Sequence, residues 1–364
     1  PADRADAALA RLLAALIAEP VGPGAFAMHD LLRAAVVARA AADELAAAHR
    51  QLAAALPASA LDPVVEVRER FHHLIAAGQR AAARALVLGR ASELIRLGGS
   101  GELIRCLDRL MADHADDVEV ALARARVRAR MLDLRGAFDD LARLAAHRDT
   151  ATAAVRTSHA HLAMLTARFD LAERISRAAL ADAGLEPALR IRHAAIWLFT
   201  RTYQGHGEAA RAWLAEATRP VTDARGRGLL AFIHAFSYWL DEHDREAEEA
   251  MRTAWALLAG DLSVRARVLG PTFWVTVLAR VGKIDEGRQA LAAAQAALQH
   301  FEDPLIEASL SALRATLHDS QGDFAAAHAD LALTEARWAR GGHAMGVLWA
   351  RLQRGALLLR LGRV

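Results

Sequence analysis

Sixteen histidines, one cysteine and one lysine are the residues of this 364-residue chain whose chemistry is easiest to test by spacing. Zinc hydrolysis on a helix needs His-Glu-x-x-His, which puts two imidazoles on one face, and that pattern is absent. His72-His73 and His159-x-His161 point apart on a helix, because side chains that share a face are three or four residues apart. A metal site built on them would need distant partners, and none is expected. Cys106 can form neither an internal disulfide nor a cysteine cluster; within Leu103-Ile104-Arg105-Cys106-Leu107 it reads as a small core residue. Ser158 and His159 are adjacent, which is poor geometry for a nucleophile and its base. A phosphate-binding loop needs Gly-x-x-x-x-Gly-Lys-Ser/Thr, but Lys283 is followed by Ile284 with no glycine at the required distance before it. No catalytic residue, metal or cofactor is assigned to this chain.

A binding role has more support. Five of the seven tryptophans, Trp197, Trp213, Trp239, Trp255 and Trp274, lie close together in the sequence, with both tyrosines, Tyr203 and Tyr238, among them. His193 and Trp197 are four apart, as are His234 and Tyr238, so each pair shares a helix face. With Arg201, Arg267 and Trp274 they form a candidate ligand-binding set, since aromatics that carry a polar group suit a concave site for a small molecule or peptide. The competing reading is that these rings plug the joints between packed helices.

The elements that would position them are helical. Hydrophobic residues make up 54% of the chain and charged residues 24%, with only 23 glycines and 9 prolines; Ala and Leu dominate, and Ala, Leu, Arg and Glu are the residues that lose least on entering a helix. A turn cassette recurs at Gly136, Ala167, Gly205, Glu242, Gly282, Gly322 and Gly362, in steps of 31, 38, 37, 40, 40 and 40. Five positions on comes a small or apolar residue (Leu141, Ala172, Ala210, Ala247, Gly287, Ala327), and four further on another (Ala145, Ser176, Leu214, Met251, Leu291, Leu331). A helix that ends in a left-handed residue and is followed at once by a second helix makes a hairpin. Such hairpins cannot bury their apolar faces alone, so they stack. The expected fold is all-α, a tetratricopeptide-like (TPR-like) helical-hairpin solenoid with right-handed superhelical sense, over 116–364. Its groove-lining helices are expected at about 188–203, 224–241, 264–281, 304–319 and 344–361. The last cassette announces a helix that does not follow, which points to a chain cut inside a repeat.

Residues 1–57 differ. An apolar helix from Ala7 to Ala18 precedes Pro20-Val21-Gly22-Pro23-Gly24, then a short alternating strand and an Ala-rich helix to Leu56; the order suggests the second half of a winged-helix module. Residues 58–115 read as a connecting helical region.

Phe26-x-Met28-His29-Asp30-Leu31-Leu32-Arg33 resembles a segment in the winged-helix region of the STAND-class signal-transduction ATPases, among them the maltose-regulator-like transcription activators. Arg70-Phe71-His72-His73-Leu74-Ile75-Ala76-Ala77-Gly78 resembles the helix that precedes their repeats, and Leu97-Gly98-Gly99 to Leu110 the next block. The resemblance implies a sensor and scaffold arm whose ATP or ADP chemistry lies in an upstream module, and whose full-length protein self-associates. It implies that His29 would touch the nucleotide held by that module; otherwise His29 and Asp30 are a hydrogen-bonding pair at a helix start.

With 45 basic against 43 acidic residues the net charge is +2, which gives no case for nucleic acid. Arg124, Arg126, Arg128 and Arg130 alternate and therefore spread over opposite sides of a helix, some of them pairing with neighbouring acids. No apolar run suits a membrane span and no leader precedes Arg4, so a cytoplasmic protein is expected. Two functions follow as expectations: a regulatory sensor for a small-molecule inducer, or a TPR-like adaptor that holds a peptide or protein.

Overall fold

The structure, a computed structural model, describes residues 18–22, 25–28, 39–56, 62–114, 116–147, 149–219, 221–258, 273–298 and 304–362. The chain divides into two compact units, Pro1–Val87 and Leu88–Val364.

The first unit holds an antiparallel hairpin of β1 (Ala18–Gly22) and β2 (Ala25–Met28), with Ala18 opposite Met28 and an irregular register between Pro20 and Gly22. The expected helix break at Pro20 is thus part of a strand. A two-stranded hairpin has a free edge on each strand, where a residue without an N–H is tolerated. Helices α1 (Ala42–Ala55) and α2 (Pro63–Ala76) follow. Asp62 caps α2 by accepting from the Val64 and Val65 amides, with Pro63 in the first helical position, where its missing N–H costs nothing. Val67, Phe71 and Leu74 form the buried face of α2. Helix α3 (Arg80–Arg96) carries the chain into the second unit.

The second unit is helical throughout its described residues. After α4 (Ser100–Asp113) come hairpins α5/α6 (Val118–Arg130, Leu134–Ala145), α7/α8 (Ala153–Leu165, Phe169–Leu180), α9/α10 (Pro187–Tyr203, Gly207–Ala217) and α11/α12 (Ala224–Leu240, Asp244–Leu258). Then follow α13 (helical over 273–280) with α14 (Ile284–Leu298), α15/α16 (Pro304–Ser320, Phe324–Arg340) and α17 (Ala344–Arg360). The turn residues Ala167, Gly205, Glu242, Gly282, Gly322 and Gly362 all have positive φ, from 59° to 80°. At Ala167 the amides of Ala167 and Arg168 bond back to Met164 O and Ala163 O, which closes the carbonyl end of the helix.

The first cassette is displaced by one helical turn. Leu132, not Gly136, has the left-handed backbone, at φ 63°. Gly136 lies inside α6, its amide bonded to the Asp133 side chain that caps the helix. From Leu132 the small residue five positions on is Ala137, fully buried, and the next is Leu141, also fully buried. The buried small residues Ala137, Ala172, Ala210, Ala247 and Ala327 remove the bulk that would hold paired helices apart.

Leu132 keeps a conformation that costs a branched residue about 1–2 kcal/mol because the end of the array packs onto it. The Leu134 amide donates to Gly341 O at 2.9 Å. Leu132 shares an apolar cluster with Ala308 and Ala312 of α15, Trp338 of α16 and Ala350 of α17. The last hairpins of the unit therefore return to the first. A Cβ on Gly341 would lie 2.3 Å from Leu132 O, so only glycine fits this seam. Rings fill the inner side of the middle repeats: Phe199 and Phe236 centroids are 4.4 Å apart, Phe236 and Phe273 5.1 Å, Trp239 and Trp349 6.2 Å.

Gly341→Ala should lower stability by about 1–3 kcal/mol. Gly355→Ala, on α17 with nothing within 4 Å of its would-be Cβ, should be neutral or stabilising by up to about 1 kcal/mol. Urea denaturation of the two variants checks the difference.

Candidate functional site

The helix bounds expected for the groove hold at α9, α11, α15 and α17, but the residues expected to line it face elsewhere. His193 is 1% exposed; its Nε2 lies 2.9 Å from Thr157 Oγ1 and its Nδ1 3.4 Å from Ser176 Oγ, tying α9 to α7 and α8. Trp197 is buried in the cluster with Leu198, Leu214 and Ile233, its ring 4.2 Å from that of Trp213. Arg201 bonds Gln204 and lies 3.6 Å from Glu173. His234 is half-buried beside Tyr238, and the Arg211 guanidinium sits 4.7 Å over the Tyr238 ring. Trp274 is half-buried, with Arg252 5.3 Å over its ring. These described residues sit at joints between helices, and His193 also borders a cavity of about 460 Å³ with Arg156 and Arg174. His29 and Arg267 lie outside the described residues.

A groove of about 610 Å³ does form, from helices of both ends of the second unit. α5 contributes Arg126 and Arg130, α7 Ser158, His161, Leu162 and Leu165, α9 Arg192, and α15 Leu305 and Ser309. The first helices α5, α7, α9 and α15 each turn one face to this space. On α9 that face carries Arg192, and His193 is rotated from it by about 100°, the angle of one helical residue. On α5 the alternating arginines divide into two pairs, each four apart. Arg124 and Arg128 turn to Asp140 and Asp108: Arg124 Nη2–Asp140 Oδ1 is 2.5 Å, Arg128 Nη1–Asp140 Oδ2 3.0 Å and Arg124 Nη1–Asp108 Oδ1 3.0 Å. Arg126 and Arg130 take the groove side. Asp140 is 2% exposed, and a carboxylate so deep must keep a cationic partner. The first pair is structural; the second borders the groove.

A second cavity, of about 640 Å³, lies along the seam, where Arg135, Phe138, Thr166 and Arg168 meet Gly342, His343 and Arg351. The Arg168 guanidinium packs 3.8 Å over the Phe138 ring. His343 caps α17: its Nδ1 accepts the Gly346 amide at 2.9 Å, which requires the neutral ring.

The groups first tested for chemistry serve packing. Burial pushes the Cys106 thiol up to about 11, away from the reactive thiolate. His49 of α1 meets His73 of α2, Nδ1 to Nδ1 2.8 Å, with the His72 ring edge-on to both. Burial, then His49 and His72, hold the His73 pKa below its usual value. Among the described residues no three or more His, Cys, Asp or Glu side chains are arranged to hold a metal ion. No helix among them is long and apolar enough to cross a membrane.

No family model matches the chain, and no curated protein matches it. Solved structures do. A Rap protein complexed with competence and sporulation factor is 14% identical with a TM-score of 0.51, over 82% of this chain and 98% of that one. The fold is that of a TPR-like helical repeat protein. A tetratricopeptide repeat protein from Parabacteroides merdae (11% identity, TM-score 0.42, 73% of this chain and 97% of that one) also matches. So does a STAND ATPase with a tetratricopeptide repeat sensor from Pyrococcus horikoshii (13%, 0.45, 95% and 57%).

Two buried histidines make stability depend on pH. Burial, then Arg192 and Arg156, push His193 down to about 4; burial pushes His343 down to about 4. Between the ordinary histidine value near 6.5 and about 4, the unfolded chain binds protons that the folded chain does not, so stability falls as pH falls through that window. The loss should approach about 3 kcal/mol per histidine. Urea midpoints at pH 7.5, 5.5 and 4.5 measure it, and His343→Asn, which keeps a capping acceptor, should reduce the slope.

Proposed function

We propose that this chain is the ligand-receiving arm of a regulatory protein, a TPR-like array that takes an inducer in its inner groove and passes the occupancy on as a change in helix arrangement. The observation that carries this reading is the groove itself: its walls come from α5, α7 and α9 on one side and α15 on the other. A molecule that touches both sides favours the closed seam over an open array, and a ligand shifts such an equilibrium only through its differential affinity for the two states. That a Rap protein of similar fold was solved with competence and sporulation factor supports an array of this kind as a receptor. The segments Phe26–Arg33 and Arg70–Gly78, which resemble STAND-class regulators, support a place beside an upstream nucleotide-binding module in a cytoplasmic transcription activator. In that setting the arm is not itself an enzyme. His29 would sense that module's ATP or ADP, and release of the arm would allow self-association.

A second reading, an adaptor for a peptide or protein, is favoured by Leu348, Leu352 and Leu359 on α17. They are 46%, 63% and 65% exposed and follow one another at four and seven residues, on one side of the helix.

Thermal-shift screening of the whole chain against metabolites, run beside capture with immobilised peptides, separates the two. The sensor reading expects a small molecule that raises the melting temperature by several degrees at a hundredfold excess over its dissociation constant, about 2.7 kcal/mol of added stability. Silence with every metabolite, with a peptide or protein captured through α17 and lost in Leu352→Glu, replaces it with the adaptor.

A further inference from the structure

The groove has a one-sided charge. Arg126, Arg130 and Arg192 line it, and among the described residues no aspartate or glutamate does. Several guanidinium groups elsewhere in the chain are closely paired. Arg252 reaches Glu248 at 2.7 Å, Arg314 Asp330 at 2.6 Å, and Arg124 and Arg128 on the far side of α5 share Asp108 and Asp140. Arg126 and Arg192 have no such partner among the described residues. They face one another from α5 and α9, near enough that Arg126, after burial, holds the Arg192 pKa below its usual value. Two like charges that line one groove disfavour each other's charged form. An anion between them reverses the sign of that interaction.

We propose that the groove binds a small organic dianion, its phosphate or paired carboxylates held between Arg126 and Arg192 and its apolar body laid against Leu162 and Leu165. The guanidinium fork is matched to planar or tetrahedral oxyanions and forms two parallel bonds with them. Ser158, from α7 between the two arginines' helices, adds a hydroxyl. A space of about 610 Å³ lies within the range that encloses small molecules. The groove reaches from α5, α7 and α9 to α15, so a bound dianion joins the two ends of the unit. The inference rests on the sensor reading above and gives its ligand a charge and a size.

Phenyl phosphate and phthalate test it, with phenol as the uncharged control. Calorimetric titration of the whole chain at low and moderate salt should show saturable one-to-one binding of at least one dianion, weaker at higher salt, and none of phenol. Which dianion binds tells a phosphate site from a dicarboxylate site. Arg126→Gln and Arg192→Gln should each weaken binding tenfold or more, and Arg192→Lys should restore part of it. Arg245→Gln, exposed on α12, should change nothing. Thermal melts of each variant establish that it is folded, and both arginines are solvent-exposed, so loss of the fold is not expected. The proposal is overturned if neither dianion saturates, or if the glutamine variants bind as the parent does. Should an uncharged inducer bind the groove with unchanged affinity in those variants, the anion inference fails and the sensor reading stands. If nothing binds the groove, both fail.

Discussion

One backbone hydrogen bond, from the Leu134 amide to Gly341 O, marks the constraint on which the second unit depends. A stack of helical hairpins has no intrinsic reason to bring its ends together, because each hairpin buries its apolar face against its neighbours. Here the turn between α16 and α17 meets the turn between α5 and α6. That meeting needs a residue without a side chain at Gly341 and a left-handed backbone at Leu132. The strain at Leu132 is offset by the cluster of Ala308, Ala312, Trp338 and Ala350 around it. Once the seam is closed, α15 stands opposite α7, and a groove exists that neither half could form alone.

The array was legible in the sequence because its punctuation is local. Left-handed turns at Ala167, Gly205, Glu242, Gly282 and Gly322 occur where small residues follow at fixed distances. The first repeat was misread by one turn. A glycine at position 136 is a stronger local signal than a leucine at 132, and what allows Leu132 its conformation lies in the last three helices of the chain. Distant packing of that kind leaves no local trace. Of the hairpin at Ala18–Met28 the Pro/Gly turn and the second strand were legible and the first strand was not: Pro20 reads as punctuation in any single sequence window, and only pairing makes it part of a strand.

The site was half legible. Two of its helices, α9 and α15, were placed within a residue or two as groove-lining; α5 and α7 were not expected there, and neither was the face. Helix periodicity identifies which residues share a side, and both sides of α9 are buried against something, so the aromatic side drew attention. Trp197 and His193 serve the joints, and the side of α9 that borders the groove of about 610 Å³ carries Arg192. The alternating arginines of α5 held the clearer signal. Four residues separate Arg124 from Arg128 and Arg126 from Arg130, so the run is two pairs on opposite faces. Asp140 in the next helix claims one pair. Tracking which charges are neutralised, rather than which rings are large, points to the groove.

The account stands on the closure of the second unit on itself. Pulsed dipolar spectroscopy between spin labels on cysteines placed at the exposed Arg174 of α8 and Gln353 of α17 tests it directly, since Cys106 is buried and its thiol disfavours labelling. A closed array predicts a single narrow distance distribution that broadens and lengthens when Gly341→Val is added to prise the seam apart. A broad, long distribution in the parent chain, unchanged by that substitution, would contradict it.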